Sequence, residues 1–112
     1  LVYTGPSSLG LEGFRVQTGS LQIGDGGTSG ETPVDTGKTL TLDAGTRVIF
    51  DRSDDVSVGA IIAGAGGLTK KNSNVLTLTG INTYTGPTLI EAGTLKIGAG
   101  GALNSASLIT VN

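Results

Sequence analysis

Short runs in which apolar and polar residues alternate, separated by clusters of glycine and asparagine, constrain this chain more than any other feature. Alternation with a period of two predicts strands with one apolar face, and Gly, Asn and Asp favour the turns between them. No long stretch shows the wider apolar spacing of an amphipathic helix. The chain is therefore predicted to be all-β. The alternating runs are 20–23, 39–43, 47–51, 75–79, 94–97 and 108–111.

One phrase occurs twice in the chain. Residues 21–27 match 95–101, and residues 3–6 match 84–87. The two phrases lie seven residues further apart in the first copy, which we interpret as a loop inserted at 9–15. Such insertions are expected in a solenoid, whose loops lie outside the stacked coils. With coils of about 20 to 25 residues, the chain would make roughly five of them.

The composition suits a thin core repeated along an axis. Aromatic residues make up 4% of the chain, whereas 20 of its 112 residues are Gly and 37% are hydrophobic. A stack of Leu, Ile, Val and Ala needs few large rings, and corner glycines would permit positive φ and close approach of adjacent coils. The residues of the repeated phrase predicted to point inward are Leu21, Ile23, Leu95 and Ile97.

The composition also excludes several classes of function. The net charge is −2 and no basic stripe is present, so no nucleic-acid partner is predicted. No apolar run is long enough to span a bilayer. The chain has no Cys and no His, which excludes thiol catalysis, disulfides and Cys-ligated zinc. It does not begin with Met, from which we expect a segment of a longer protein.

Three consecutive phrases in the second half of the chain follow a family pattern. They are GAGGLTK at 64–70, LTLTGINTYTG at 76–86 and GTLKIG at 93–98, with Pro87 where Gly or Ala is common. In order and spacing, 64–98 resembles the passenger-associated strand repeat of bacterial autotransporters. Residues 3–27 resemble a weaker copy with an inserted loop, and 28–62 look like the less regular rungs between such repeats.

The resemblance implies a right-handed parallel β-helix, with 1–112 as a single segment of a passenger. It implies type V secretion through the outer membrane of a Gram-negative bacterium and display at the cell surface. The implied partner is the C-terminal translocator β-barrel of the same precursor. The implied function is a non-enzymatic stalk that supports folding during export and displays an adhesive or other activity. The family supplies no catalytic, cofactor-binding or metal-binding residue to carry over.

Two other functions stay open at this point. An adhesin or self-association module would bind host surfaces or neighbouring cells directly, through coil ends or through a flat polar face carrying Thr77, Thr79 and Lys96. A β-helical carbohydrate-active enzyme would need convergent acids and bases on one face, and the sequence shows no such set.

Two charged clusters contain residue types that can support catalysis or metal binding. Asp51, Asp54 and Asp55 have the residue type of a glycosidase pair or a calcium site, but a solvated loop is the favoured interpretation. In a chain without His, a Lys or a carboxylate would have to activate a hydroxyl, and Lys70 and Lys71 are candidates. They are interpreted as surface charges.

Tyrosine and asparagine in the repeated phrase are predicted to be structural. Tyr3 and Tyr84 are assigned equivalent positions, where packing at a coil corner is favoured over a sugar-binding platform. Asn82 is predicted to form an internal ladder or an Asx turn.

Overall fold

The computed structural model describes residues 2–3, 11–24, 34–98 and 109–111, which confirm the all-β prediction. Within these ranges no helix suited to crossing a membrane occurs. The strands are β1 (Val2–Tyr3), β2 (Leu11–Val16), β3 (Ser20–Ile23), β4 (Val34–Leu42), β5 (Arg47–Phe50), β6 (Val56–Val58), β7 (Ile61–Gly64), β8 (Gly67–Lys70), β9 (Val75–Leu78), β10 (Thr88–Ile90), β11 (Thr94–Ile97) and β12 (Ile109–Val111).

The strands form three sheets in which every pair is parallel. The long sheet has the order β1-β3-β5-β8-β10-β12, the second sheet β2-β4-β7 and the third sheet β6-β9-β11. From β4 to β9 the chain visits the second, long and third sheets in turn and then repeats that order. A chain that returns to each sheet one strand further along is wound as a stack. The architecture is therefore that of a β-solenoid, as the alternation and the repeated phrase together predicted.

The register places like residues above one another. In the long sheet Leu21, Val48 and Leu68 align in one inward column, which continues to Thr88. Alternate residues of β3 are buried, as the period of two requires. The buried cluster draws on all three sheets. Its members are Val16, Leu21, Ile23, Leu40, Leu42, Val48, Phe50, Val56, Val58, Ala60, Ile62, Leu68, Leu76, Leu78 and Tyr84.

Glycine allows adjacent coils to touch at two corners of the repeat. A Cβ on Gly86 would lie against the Gly66 carbonyl and 2.7 Å from the Gly67 nitrogen, both backbone atoms of the preceding coil. Gly93 has φ 74°, a left-handed conformation that residues with a side chain rarely adopt. The predicted role of corner glycines is therefore confirmed at these positions.

The two copies of the repeated phrase lie in different sheets. Leu21 is in the long sheet and Leu95 in the third sheet, so the two are not members of one ladder. Leu21 and Ile23 are buried as predicted, but Leu95 is only partly buried and Ile97 is 39% exposed. Both belong to β11, the outer strand of the third sheet. The repeated phrase predicts a strand followed by a turn. That local pattern does not determine in which of the three sheets the strand lies.

Two further expectations for the first copy are wrong. The loop predicted at 9–15 is strand β2 over residues 11–15, and residues 9 and 10 lie outside the described ranges. Tyr3 lies within a strand of the long sheet, aligned with Ile23, whereas Tyr84 lies between strands. The two tyrosines are therefore not equivalent.

The described part of 28–62 is also more regular than expected, because β4, β5 and β6 pair in register with later strands.

Candidate functional site

The acidic segment predicted as a solvated loop is a hydrogen-bonded corner. Asp51 accepts hydrogen bonds from Gln22 Nε2 at 3.2 Å and from Asn72 Nδ2 at 2.6 Å. These two donors lie on the preceding and following coils. Asp55 Oδ1 accepts from the Val75 backbone N–H at 2.8 Å. The carboxylates therefore join coils.

Arg52 holds the third carboxylate of this corner. Its Nε and Nη2 donate to Asp54 Oδ1 and Oδ2, each at 2.9 Å, and the arginine is 6% exposed. The hydrogen bonds from Arg52 lower the pKa of Asp54, against a smaller opposing effect of desolvation. Within the described ranges, no three His, Cys, Asp or Glu side chains group as a metal site would require.

The prediction that Lys70 is a surface charge is wrong. Lys70 is fully buried, whereas Lys71 is half-buried. Lys70 Nζ donates to Asn74 Oδ1 and to the Asn72 carbonyl, both at 2.8 Å. Burial lowers the pKa of the Lys70 ammonium, and Asp55 partly offsets this effect. The alternation in GLTK carried the signal for this position, since Leu68 points inward and Lys70 follows two residues later.

Asn82 and Tyr84 form a second polar corner, between the second and long sheets. Asn82 Oδ1 accepts the Ile62 backbone N–H at 2.9 Å, and Asn82 Nδ2 donates to the Gly80 carbonyl at 3.1 Å. Tyr84 is fully buried, with its hydroxyl 2.5 Å from Thr88 Oγ1. The packing role predicted for Tyr84 and the internal hydrogen bonding predicted for Asn82 are both observed.

The outward face of the third sheet carries small polar and charged side chains. Ser57, Thr77 and Lys96 align across β6, β9 and β11. Ser57 and Lys96 are exposed and Thr77 is half-buried. Thr79 follows β9 and is also exposed. The polar face predicted from the sequence is thus present.

A groove of about 410 Å³ runs along the outside of the long sheet. Gly67 forms part of its lining between Arg47 and Pro87, and Arg47 Nη1 lies 3.4 Å from Thr69 Oγ1. The lining contains this one charged residue and no carboxylate or aromatic ring. The groove therefore does not contain the paired acids of a glycosidase.

Comparison with known proteins places Lys70 and the second polar corner, Asn82 and Tyr84, in a recognised repeat. Residues 68–97, within the segment singled out by sequence, match the passenger-associated-transport-repeat family. The chain is also 40% identical over 100 residues to the adhesin BmaC autotransporter of Brucella suis biovar 1 (strain 1330). That alignment covers 84% of this chain and 3% of the adhesin's length. No solved structure matches the chain.

The repeat match includes Lys70, Asn74, Asn82 and Tyr84, whereas the acidic corner at 51–55 lies before it. The homologous alignment extends well beyond the repeat, over most of the chain. Residues 68–97 are therefore a passenger-associated transport repeat, and the chain is a distant homologue of part of an autotransporter passenger related to an adhesin.

Proposed function

We propose that this chain is a stalk segment of an autotransporter passenger, secreted across the outer membrane of a Gram-negative bacterium and displayed at its surface. Its task is to fold coil upon coil during export and to project an adhesive or other activity. The observation that carries the proposal is the unbroken parallel register from β3 through β5 and β8 to β10, which passes through the passenger repeat.

The finer architecture is part of the proposal. We infer a right-handed β-helix of roughly five coils, with 1–112 as one continuous segment. The partner that the family relationship supports is the translocator barrel of the same precursor. A solenoid suits this work because each coil contacts only its neighbours, so folding can propagate from one end.

A display experiment tests the stalk. The chain is joined to an autotransporter translocator barrel in a laboratory Gram-negative host, and intact cells are treated with protease. The wild-type chain is expected at the surface as a resistant fragment. Gly86→Leu, which blocks the approach of adjacent coils, is expected to reduce both surface display and resistance. Gly13→Ala serves as the control. Equal display and equal resistance for Gly86→Leu would contradict the proposal.

Direct adhesion or self-association is the second candidate function, supported by the related adhesin and by the outward face of the third sheet. Thr77→Asp combined with Lys96→Glu changes the charge of that face while leaving the inward column in place. If the face binds cells or neighbouring copies, the double variant loses cell aggregation or host-cell binding. Thr41→Asp, on the second sheet, is the control, and unchanged binding by the double variant would remove this candidate.

An enzymatic function is not part of the proposal. The three acids of the 51–55 corner are occupied by structural hydrogen bonds between or within coils. The groove on the long sheet is lined by neutral side chains and one arginine. Both observations favour a scaffold over a carbohydrate-active site.

A further inference from the structure

Lys70 occupies a position where the sheet register calls for an apolar side chain. It aligns with Phe50 on one side and Ile90 on the other, and Phe50 in turn aligns with Ile23. Each of these neighbours is buried, and Lys70 itself is fully buried. A buried ammonium is costly unless its N–H groups find acceptors. Its placement therefore requires a specific set of partners.

The partners are four neutral oxygens. Lys70 Nζ lies 2.8 Å from Asn74 Oδ1, 2.8 Å from the Asn72 carbonyl, and 3.2 Å from each of the Lys71 and Ala92 carbonyls. Among the described residues no carboxylate lies within ion-pair distance of this nitrogen. An ammonium has three N–H donors, so these four acceptors satisfy it fully. Oxygens converging on one charge in place of its water form a cation site.

The oxygens come from two successive coils and are tied to a third. Ala92 lies between β10 and β11, whereas the other three acceptors lie between β8 and β9. Asn74 Nδ2 donates to the Asp54 carbonyl at 2.5 Å, and Asp54 lies between β5 and β6. Asn74 therefore contacts the preceding coil through Nδ2 and the ammonium through Oδ1. The ammonium in turn contacts the following coil at the Ala92 carbonyl.

The backbone of this corner is shaped to bring the oxygens together. Asn72 has φ 68°, so the turn passes through a left-handed residue that is not glycine. A Cβ on Gly93 would lie 2.6 Å from the Asn72 carbonyl oxygen and 2.7 Å from Lys70 Nζ. A side chain there would collide with two of the surrounding carbonyl oxygens and with the ammonium itself. The close approach of the two coils and the position of the ammonium therefore depend on each other.

We propose that this corner is a binding site for a primary ammonium, filled by Lys70 Nζ, and that its occupation locks the coil containing Ala92 onto the coil containing Asn74. The set of four acceptor oxygens is complete only when both coils are packed together. The proposal concerns the folded stack itself and does not depend on where the protein acts, so it can fail or succeed independently of the stalk function.

Chemical rescue tests the site in the 112-residue chain. Lys70→Ala removes the atoms that n-propylammonium would replace, and the variant is expected to lose on the order of 10 °C in Tm. Added n-propylammonium is expected to restore part of that loss as its concentration rises. Tetramethylammonium, which has no N–H donor, is expected to give no rescue. If Lys70→Ala is unfolded in plain buffer, refolding by n-propylammonium alone becomes the supporting result.

Two control variants sharpen the test. Lys71→Ala keeps the site and is expected to respond equally to the two salts. Lys70→Met fills the space without a donor and is expected to show no rescue. Identical effects of the two salts on Lys70→Ala, or equal rescue of Lys70→Met, would overturn the proposal. So would a wild-type mass lower by one ammonia with Lys70 and Asn74 crosslinked in the peptide map, since Nζ would then have formed an amide with Asn74 instead of occupying a cation site.

Amide hydrogen exchange provides a readout of the lock. The backbone N–H groups of Glu91 and Thr94 donate to the carbonyls of Lys70 and Asn74. Lys70→Ala is expected to accelerate exchange at these two amides more than at Asp51, whose N–H donates to Ile23 on the preceding coil. Uniform acceleration across the three amides would show that the ammonium does not act between these coils.

Discussion

Asn82 stands in for a strand partner of Ile62. Its Oδ1 accepts the Ile62 backbone N–H at 2.9 Å, at the edge of β7 where the next coil does not form a strand. The backbone next to Asn82 also hydrogen-bonds Ile62, since the N–H groups of Thr83 and Tyr84 donate to the Ile62 carbonyl. A side-chain amide and an irregular turn therefore continue the stack.

Asn82→Ala is expected to destabilise the chain by about 1–3 kcal/mol, because it leaves the buried Ile62 N–H without an acceptor. Thr85→Ala, which truncates an exposed side chain in the same turn, is expected to change stability by less than about 0.5 kcal/mol. Urea unfolding measures both. Equal effects of the two substitutions would contradict the role assigned to Asn82.

Gly86→Ala is expected to cost about 1–3 kcal/mol, because the added methyl would collide with backbone atoms of Gly66 and Gly67, which cannot rotate away. Gly13 offers a matched control in β2, where a Cβ would lie 3.5 Å from the Thr39 carbonyl oxygen, an ordinary contact. Gly13→Ala is therefore expected to be neutral or slightly stabilising. Thermal unfolding compares the pair, and a loss of similar size in both would count against close coil contact at Gly86.

The stability of the wild type relative to Lys70→Met is expected to rise with pH. Burial lowers the pKa of Lys70 from its ordinary value of 10.5, so the unfolded state binds more protons between the lowered pKa and 10.5. Raising the pH through that window removes the cost of the buried charge, and the cost is largest below the lowered pKa. Urea unfolding of both proteins from neutral pH to about 10 measures the difference. Parallel pH profiles would contradict it.

Asp54→Asn is expected to weaken the chain at neutral pH and to have less effect in acid. Because Arg52 hydrogen-bonds the carboxylate, the pKa of Asp54 lies below its ordinary value of 3.8. The associated stability is present above pH 3.8 and is lost as the pH falls through the lowered pKa. The control is Asp43→Asn, which affects an exposed pair with Arg15 and is expected to have a small effect. A difference between wild type and Asp54→Asn that does not change with pH would disprove the assignment.

The isolated chain is expected to self-associate through its outer strands. Among the strands that the structure describes, β2 and β11 lie at the edges of their sheets, and Ile97 on β11 is 39% exposed. Unpaired strand edges recruit further strands. Sedimentation at rising concentration should show oligomers, and Ile97→Lys should reduce them more than Ile81→Lys, which changes an isoleucine that is 61% exposed but outside these strands. A wild-type monomer at high concentration would contradict the prediction.

The sequence predicted local structure better than it predicted the position of each strand in the coil. Alternation identified β3, β5 and β9, since a period of two depends only on neighbouring residues. The matching phrases did not predict that Leu21 and Leu95 lie in different sheets, because the side of the coil on which a strand lies depends on the lengths of all preceding turns. The phrase match likewise predicts an inserted loop where the structure has β2.

The sequence predicted the burial of some polar residues better than that of others. Asn82 and Tyr84 were assigned internal roles because they lie in a recognisable phrase. Lys70 was assigned to the surface because lysine usually lies there. Its acceptors include a carbonyl 22 residues away, at Ala92, and such a contact appears only once the coils are stacked.

The even register of the long sheet has a consequence for how such a protein can change in length. Residues 48, 68 and 88 share one column, so one turn of the chain here is a unit of twenty residues. Removing or duplicating one such unit between equivalent corners would leave each remaining strand beside a neighbour in the same register. Recombination can therefore lengthen or shorten the stack by whole turns, without redesign of the residues that remain.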